Sequence, residues 1–492
     1  MSRSEDTPGT AEDAGGAARA YDVIVIGAGP VGENVAERAH AAGLSTVIVE
    51  RELVGGECSY WACMPSKALL RPVAARADAR RVAGSAQAVT GALDAKAVLE
   101  RRDGFASQWK DEGQVSWLEG AGIDLVRGHG RLDGPRRVVV TGADGSRTAL
   151  EARHAVAVCT GSRAALPGLP GIAEAQPWTS REATSAQEVP GRLAVVGGGV
   201  VGAEMATAWR ALGSEVTVLV RGDGLLPKME PFAGKLVAEA LAEAGACVLT
   251  GVSVEHLDRP VPDRPVTLTL SDGARLVVDE VLFATGRVPR TDDIGLDTVG
   301  ADAGNFLSVD DSCRVEDVQG GWLYAVGDAN GRALLTHQGK YQARIAGAAI
   351  AARAAGVPLL ETDRWGAHAA TADHDAVPQV VFTDPEVASA GLTAAEAEAR
   401  GLRTRVVDYD LGNVAGAALF ADGYRGRARM IVDLDREVVV GATFAGPGVS
   451  ELLHSATLAI AGEIPLDRLW HAVPAYPTIS EIWLRFLEEY RG

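Results

Sequence analysis

The 492-residue chain is short of several things. It has only five cysteines, an odd number, and no export-like apolar segment near its start, so a disulfide framework is not expected. Aromatic residues make up 5% of it. Basic residues are outnumbered, 47 against 65 acidic, for a net charge of −18. Nothing in that balance would neutralise nucleic-acid phosphates, so no nucleic-acid partner is expected. No apolar run approaches the roughly 18 residues needed to cross a bilayer, so no membrane partner is expected and a cytoplasmic location is. Residues 1–20 are small, polar and rich in Gly and Ala, and are expected to form a disordered tail. Cys159, Cys247 and Cys313 fall in apolar or strand-like surroundings and read as packing residues.

What the chain does have is glycine in a repeated pattern. An apolar strand at Val23–Ile26 runs into Gly27-x-Gly29-x-x-Gly32, then an amphipathic helix, then a strand at Thr46–Val49 ending in Glu50. Such glycines permit a tight turn and let a pyrophosphate approach the free N–H groups of the following helix. An acid about twenty residues on can accept from ribose hydroxyls. The pattern returns from Leu193, with Gly197-x-Gly199-x-x-Gly202. Two fingerprints imply two dinucleotides. In the second unit the position of Glu50 holds Val220, followed by Arg221, which suits a 2′-phosphate and favours NADPH over NADH. Three further strand-then-turn signals, at Gly161, Gly286 and Gly327-Asp328, stand where ligands bind in open α/β sheets.

Between the two units lies GGECSYWACMPSK, with Cys58 and Cys63 near the head of a helix. Zinc is a poor reading, since the pair offers two ligands where a structural site wants four. A redox pair fits: the thiolate is the reacting form, and a helix N-terminus and the nearby Lys67 both favour it.

With these cysteines between two dinucleotide units, the chain resembles the class I pyridine nucleotide–disulfide oxidoreductases over about residues 21–490. VVFTDPEVASAGLTAAEA, Val380–Ala397, resembles the start of that family's interface domain. The resemblance implies an α/β fold with two Rossmann-like domains for FAD and NAD(P) and a C-terminal α+β dimerisation domain. It implies a flavin domain at 21–165 and 288–360, a nicotinamide domain at 166–287 and an interface domain at 366–492, in a homodimer. It implies FAD held by Glu50 and Asp328, Cys63 against the flavin, Cys58 facing the substrate, and Lys67 near the flavin paired with Glu204. The implied activity is NAD(P)H-dependent reduction of a small disulfide, or the reverse oxidation of a dithiol. A reductase of a quinone, metal ion or oxygen, with the disulfide as relay or spectator, is the alternative.

One motif departs. The family places a His–Pro–Thr stretch near its C-terminus, with a Glu five residues after the His. Here Tyr476-Pro477-Thr478 and Glu481 occupy it. An imidazole near 6.5 takes a proton at neutral pH, whereas a phenol near 10 is about one part in a thousand ionised. Thiol exchange is expected to be slower for it. His337 is a candidate to approach the flavin. Tyr60 and Trp61, between the cysteines, either line a substrate pocket or pack.

Overall fold

The computed structural model describes residues 18–261, 264–359 and 362–492. Residues 1–17, most of the expected tail, and residue 360, the expected end of the second flavin segment, lie outside these ranges. The first strand, β1 (Arg19–Ile26), starts earlier than the apolar pattern suggests. Arg19 and Ala20 belong to it rather than to a tail, because they pair with Leu150 and Glu151.

β1 is the centre of a seven-stranded sheet. It lies parallel to β2 (Thr46–Glu50) on one side and to β6 (Arg147–Val158) on the other. β3 (Asp124–Arg127) extends the β2 edge in parallel. β5 (Arg137–Thr141) and β4 (His129–Leu132) continue from β6 as antiparallel strands. The strand Leu323–Ala325 joins β6 in parallel from far along the chain, which returns the Gly327-Asp328 turn to the first sheet. β1 is buried on both faces, so it reads as continuous apolar sequence. Val23 and Val25 pack with Val35, Ala36, Ala343 and Ala346. Ile24 and Ile26 pack with Val47, Leu150 and Leu323 on the other face. The first face is covered by α1 (Pro30–Ala41), with Pro at its start where no N–H is missed, and by the helix Thr336–Ala354.

The second fingerprint heads an independent four-stranded parallel sheet, Cys247–Thr250, Glu215–Val220, Arg192–Val196 and Glu280–Phe283 in spatial order. Its helix, Val200–Leu212, ends at Gly213, whose φ of 115° closes the last turn in a left-handed conformation. A third sheet is antiparallel and five-stranded, in the order Pro378–Val381, Glu386–Gly391, Val438–Gly446, Arg427–Asp433 and Thr404–Asp410. The helix Ile482–Arg491 packs on it through Trp483, Phe486 and Leu487. Among the described residues no helix is long and apolar enough to cross a membrane.

Candidate active site

The two glycine turns have the same geometry. At Gly27, φ is 105° and a Cβ would sit 2.4 Å from the Cys159 carbonyl oxygen. At Gly197, φ is 122° and a Cβ would sit 2.4 Å from the Ala284 oxygen. A Cβ at Gly32 would lie 1.9 Å from Gly27 O, and one at Gly202 2.1 Å from Gly197 O. At Gly29 and Gly199 a Cβ would meet nothing within 4 Å, so these glycines face open space at a helix N-terminus.

In the first unit that space is an open cleft. It runs from Gly27, Gly29 and Glu50 past Gly161 and Ser162 to Asp328, Thr336 and Cys58. Glu50 lines it while binding the turn itself, accepting from Ala28 N and Glu52 N, both at 2.7 Å. Asp328 lines its far half, accepts from Ser162 Oγ, and is pushed up by burial. An open helix N-terminus at one end and the cysteine pair at the other, Cys58 lining the cleft and Cys63 meeting its Thr336, fit a flavin dinucleotide. Gly327 N is fixed by Gln342 Oε1 at 2.8 Å. Gly286, with φ of 139°, turns the chain ahead of Arg287 and does not itself line the cleft.

Cys58 lies in the short helix α2 (Gly56–Tyr60), and Cys63 begins α3 (Cys63–Arg80). Both are half-buried and reduced. They share one hydrogen bond, the largest influence on each. Cys63 falls to about 6, held there by that bond against burial, with help from Thr336 and the Lys67 charge. Cys58 rises for the converse reason. Thr336 Oγ1 is 3.3 Å from Cys63 Sγ.

Lys67 is one turn past Cys63 in α3, on the same face. Its Nζ reaches Glu204 Oε2 at 2.8 Å and Oε1 at 3.1 Å. Glu204, 3% exposed in the Val200–Leu212 helix, also accepts from Phe382 N at 3.0 Å. The Lys67 ammonium sits 5.0 Å above the Phe382 ring. One carboxylate thus joins the cysteine helix, the second dinucleotide unit and the edge of the third sheet. Arg221 is exposed just beyond the end of the strand Glu215–Val220.

Several expectations change. Tyr60 and Trp61 pack rather than line a pocket. Tyr60 is 2% exposed and donates to Val54 O at 2.9 Å. Trp61 is covered by the Arg181 guanidinium, 4.2 Å above its ring. His337 points away from the cleft, its Nε2 2.8 Å from Pro378 O. Cys159 and Cys313 are buried as packing residues, but Cys247 is exposed at a strand start. Of the C-terminal motif, Glu481 is buried and paired with Arg485, while Tyr476 is 77% exposed.

Glu57, Arg181 and Arg290 belong to no motif in the sequence. Glu57 Oε1 accepts from Arg181 Nε at 2.6 Å and from Arg290 Nη2 at 2.9 Å, beside Cys58. Their separations along the chain gave no signal, except that Glu57 adjoins the cysteine. Thr336 and Phe382 were missed for the same reason.

Residues 21–355 match the family model described as pyridine nucleotide-disulphide oxidoreductase, and 377–485 match the model of its dimerisation domain. The chain is similar to dihydrolipoyl dehydrogenase 2 of Haloarcula marismortui, 32% identical over 94% of each chain. It is 29% identical to mercuric reductase of Staphylococcus aureus over 94% of this chain and 81% of that one. Among solved structures, the flavoprotein disulfide reductase RclA of Escherichia coli superposes with a TM-score of 0.80 at 21% identity, covering 96% of this chain and 99% of that one. LpdA of Mycobacterium tuberculosis does so with 0.78 at 26%, covering 95% and 99%. With two matching dinucleotide turns joined by a cysteine pair, the chain belongs to the pyridine nucleotide–disulphide oxidoreductases, enzymes that use FAD and NAD(P)H.

Proposed function

We propose that this enzyme passes electrons from NADPH through FAD to the Cys58–Cys63 pair and on to a small disulfide, with Cys63 on the flavin side and Cys58 as the interchange thiol. The observation that carries the reading is the placement of the pair: Cys58 lines the cleft, Cys63 meets Thr336 at 3.3 Å one turn before the Lys67–Glu204 ion pair, and their shared hydrogen bond favours the anion on Cys63. Arg221, exposed and unpaired among the described residues, supports NADPH, since it follows the position where a carboxylate would otherwise contact the ribose and a 2′-phosphate takes its place. The Leu323–Ala325 strand on β6 supports a flavin domain built from 21–165 and 288–360, around a nicotinamide domain at 166–287. The dimerisation match supports a homodimer through 366–492, as do Leu458, Val473 and Tyr476, which are exposed on the single subunit.

Bound FAD supplies two-electron transfer between a nicotinamide and a disulfide. The chain's residues do the rest. Gly29 and Gly199 open two helix N-termini to the pyrophosphates. Lys67, fixed by Glu204, holds positive charge near Cys63 and favours its thiolate. In exchange, Cys58 gives up its proton as its sulfur attacks one sulfur of the substrate. The Cys58–sulfur bond forms, the substrate S–S bond breaks, and the leaving thiolate takes that proton. The Cys63 thiolate then attacks Cys58 Sγ, closing the pair and releasing the second half of the substrate as a thiolate, which takes a proton from solvent.

Anaerobic addition of NADPH to the flavoprotein tests this. One equivalent should expose two new alkylatable thiols, at Cys58 and Cys63, and produce a long-wavelength thiolate–flavin band while the flavin absorbance persists. Bleaching of the flavin with no new thiols would refute the route.

A second reading, a quinone, metal-ion or oxygen reductase, is favoured by the C-terminal motif. Tyr476 forms no hydrogen bond through its hydroxyl among the described residues, and Glu481 is held by Arg485. Tyr476→Phe is therefore expected to change turnover with a small disulfide by less than about threefold, far below the roughly 10²–10⁴ supplied by a general base. Steady-state kinetics on both proteins at matched flavin content check it. A larger loss would make the phenol part of the exchange.

A further inference from the structure

Among the buried acids that take no part in this route, Glu230, Asp373 and Asp433 have hydrogen-bond or ion-pair partners. Glu33 stands in α1, 8% exposed, and its Oε1 has no hydrogen-bond partner among the described residues. A carboxylate so placed is costly unless a charge or a proton compensates it. The compensating charge comes from the Thr336–Ala354 helix. That helix presses on α1 closely enough that a Cβ at Gly339 would lie 2.5 Å from Val31 Cγ2. Lys340 is the next residue. It is also one turn on from Thr336, whose hydroxyl touches Cys63, so the two share a helix face. Lys340 thus belongs to the helix that meets Cys63 through Thr336 and packs on the helix that carries Glu33. Its ammonium acts on the Glu33 carboxyl and on the Cys58 thiol, and it forms no hydrogen bond or ion pair of its own among the described residues.

Other groups are accounted for. Glu33 faces Lys340, Glu50 from β2 and Tyr60 from α2. Cys58 faces Cys63, Thr336 and Lys340. Lys67 and Glu204 act on Cys63. Lys340 is a cation that bears on the substrate-side thiol from within the subunit, in a chain whose C-terminal motif carries Tyr476 and ties Glu481 to Arg485.

We propose that Lys340 is the positioning charge that stabilises the Cys58 thiolate, and that Glu33 sets how much of that charge Cys58 feels. This rests on Cys58 being the interchange thiol. Burial pushes Glu33 up to about 7, and Lys340 opposes the rise. Below that pH Glu33 is neutral and the Lys340 charge acts on Cys58 unopposed. Above it the Glu33 carboxylate cancels part of the charge.

The test is alkylation of the NADPH-reduced holoenzyme by iodoacetamide across the neutral range, with mass spectrometry to assign each labelled cysteine. Lys340→Met is expected to raise the midpoint of Cys58 labelling by at least about 0.5 pH unit, and Lys340→Arg to restore it. Glu33→Gln, close to isosteric, is expected to lower the midpoint, because Lys340 stays unopposed at high pH. A residue that merely packs would change the melting temperature and leave both midpoints in place. Unmoved Cys58 midpoints in Lys340→Met and Glu33→Gln overturn the proposal while leaving the route through the pair intact. Labelling confined to Cys63, with Cys58 never alkylated at any pH, overturns the assignment of Cys58 as the interchange thiol, and this proposal with it.

Discussion

Cys63→Ser is expected to lower NADPH-dependent disulfide reduction by at least about 10³-fold, because a serine hydroxyl can neither close the disulfide nor exist as an anion at neutral pH. Cys58→Ala should cost as much in turnover but should leave a different trace. The hydrogen bond from Cys58 is the largest cause of the lowered Cys63 value, ahead of Thr336 and Lys67. Alanine has no donor, so that bond is lost and the Cys63 thiolate should titrate above the wild-type value of about 6. The sign follows from linkage: a thiol whose anion is stabilised loses that anion only as pH falls through its lowered value, and weaker stabilisation moves the loss to higher pH. Ultraviolet thiolate absorbance against pH, in both single variants, reads this directly. Quinone and oxygen reduction in Cys63→Ser decides what the pair is for. If those activities persist while disulfide reduction disappears, the cysteines are the path to disulfides alone. If disulfide reduction survives, the relay is wrong.

Much of this site was legible because its parts are local. A strand, a glycine turn, a helix and an acid follow one another within thirty residues, and each has its own physical signature. Glu50 sits where the spacing placed it, although it binds the Ala28 and Glu52 amides of the turn itself. The Lys67–Glu204 pair came from the family resemblance rather than from spacing, and the structure brings the two together. What could not be read are the contacts made by chain crossing. Thr336 reaches Cys63 across 273 residues, and Phe382 reaches Glu204 across 178. Aromatic residues beside a reactive thiol suggest a pocket. Here Tyr60 fills the core and Trp61 stacks beneath Arg181, a neighbour no local pattern announces. His337 failed for a similar reason. It follows Thr336 directly, but adjacent residues on a helix point in different directions, and its ring meets the Pro378 carbonyl. Glu33 was invisible for the opposite reason, since an acid four residues into an amphipathic helix reads as surface.

The two dinucleotide sites should separate cleanly by glycine substitution. At Gly29, φ is −71° and ψ is 174°, which any residue adopts. A Cβ there meets no protein atom within 4 Å. Gly29→Ala should therefore fold, with the apoprotein melting within a degree or two of wild type, while its methyl group occupies the space a pyrophosphate needs. It is expected to bind FAD at least about 10²-fold more weakly, from lost helix-terminus hydrogen bonds worth about 1.5–3 kcal/mol each to a charged group. Gly199, with φ of −78° and an equally open Cβ direction, is its counterpart. Gly199→Ala should keep its flavin colour and lose reduction by NADPH, while dithionite still reduces it. Gly32→Ala is the contrast. Its Cβ would fall 1.9 Å from the Gly27 carbonyl oxygen, backbone that cannot give way without moving α1 off β1. That overpacking should cost about 1–3 kcal/mol or more, so the apoprotein itself should be destabilised. Flavin fluorescence titration and apoprotein melting, on the three variants together, distinguish the cases. If Gly29→Ala holds FAD as tightly as wild type, the cleft at the start of α1 is not where the pyrophosphate binds. If Gly199→Ala is still reduced by NADPH at the wild-type rate, the second turn is not the nicotinamide site.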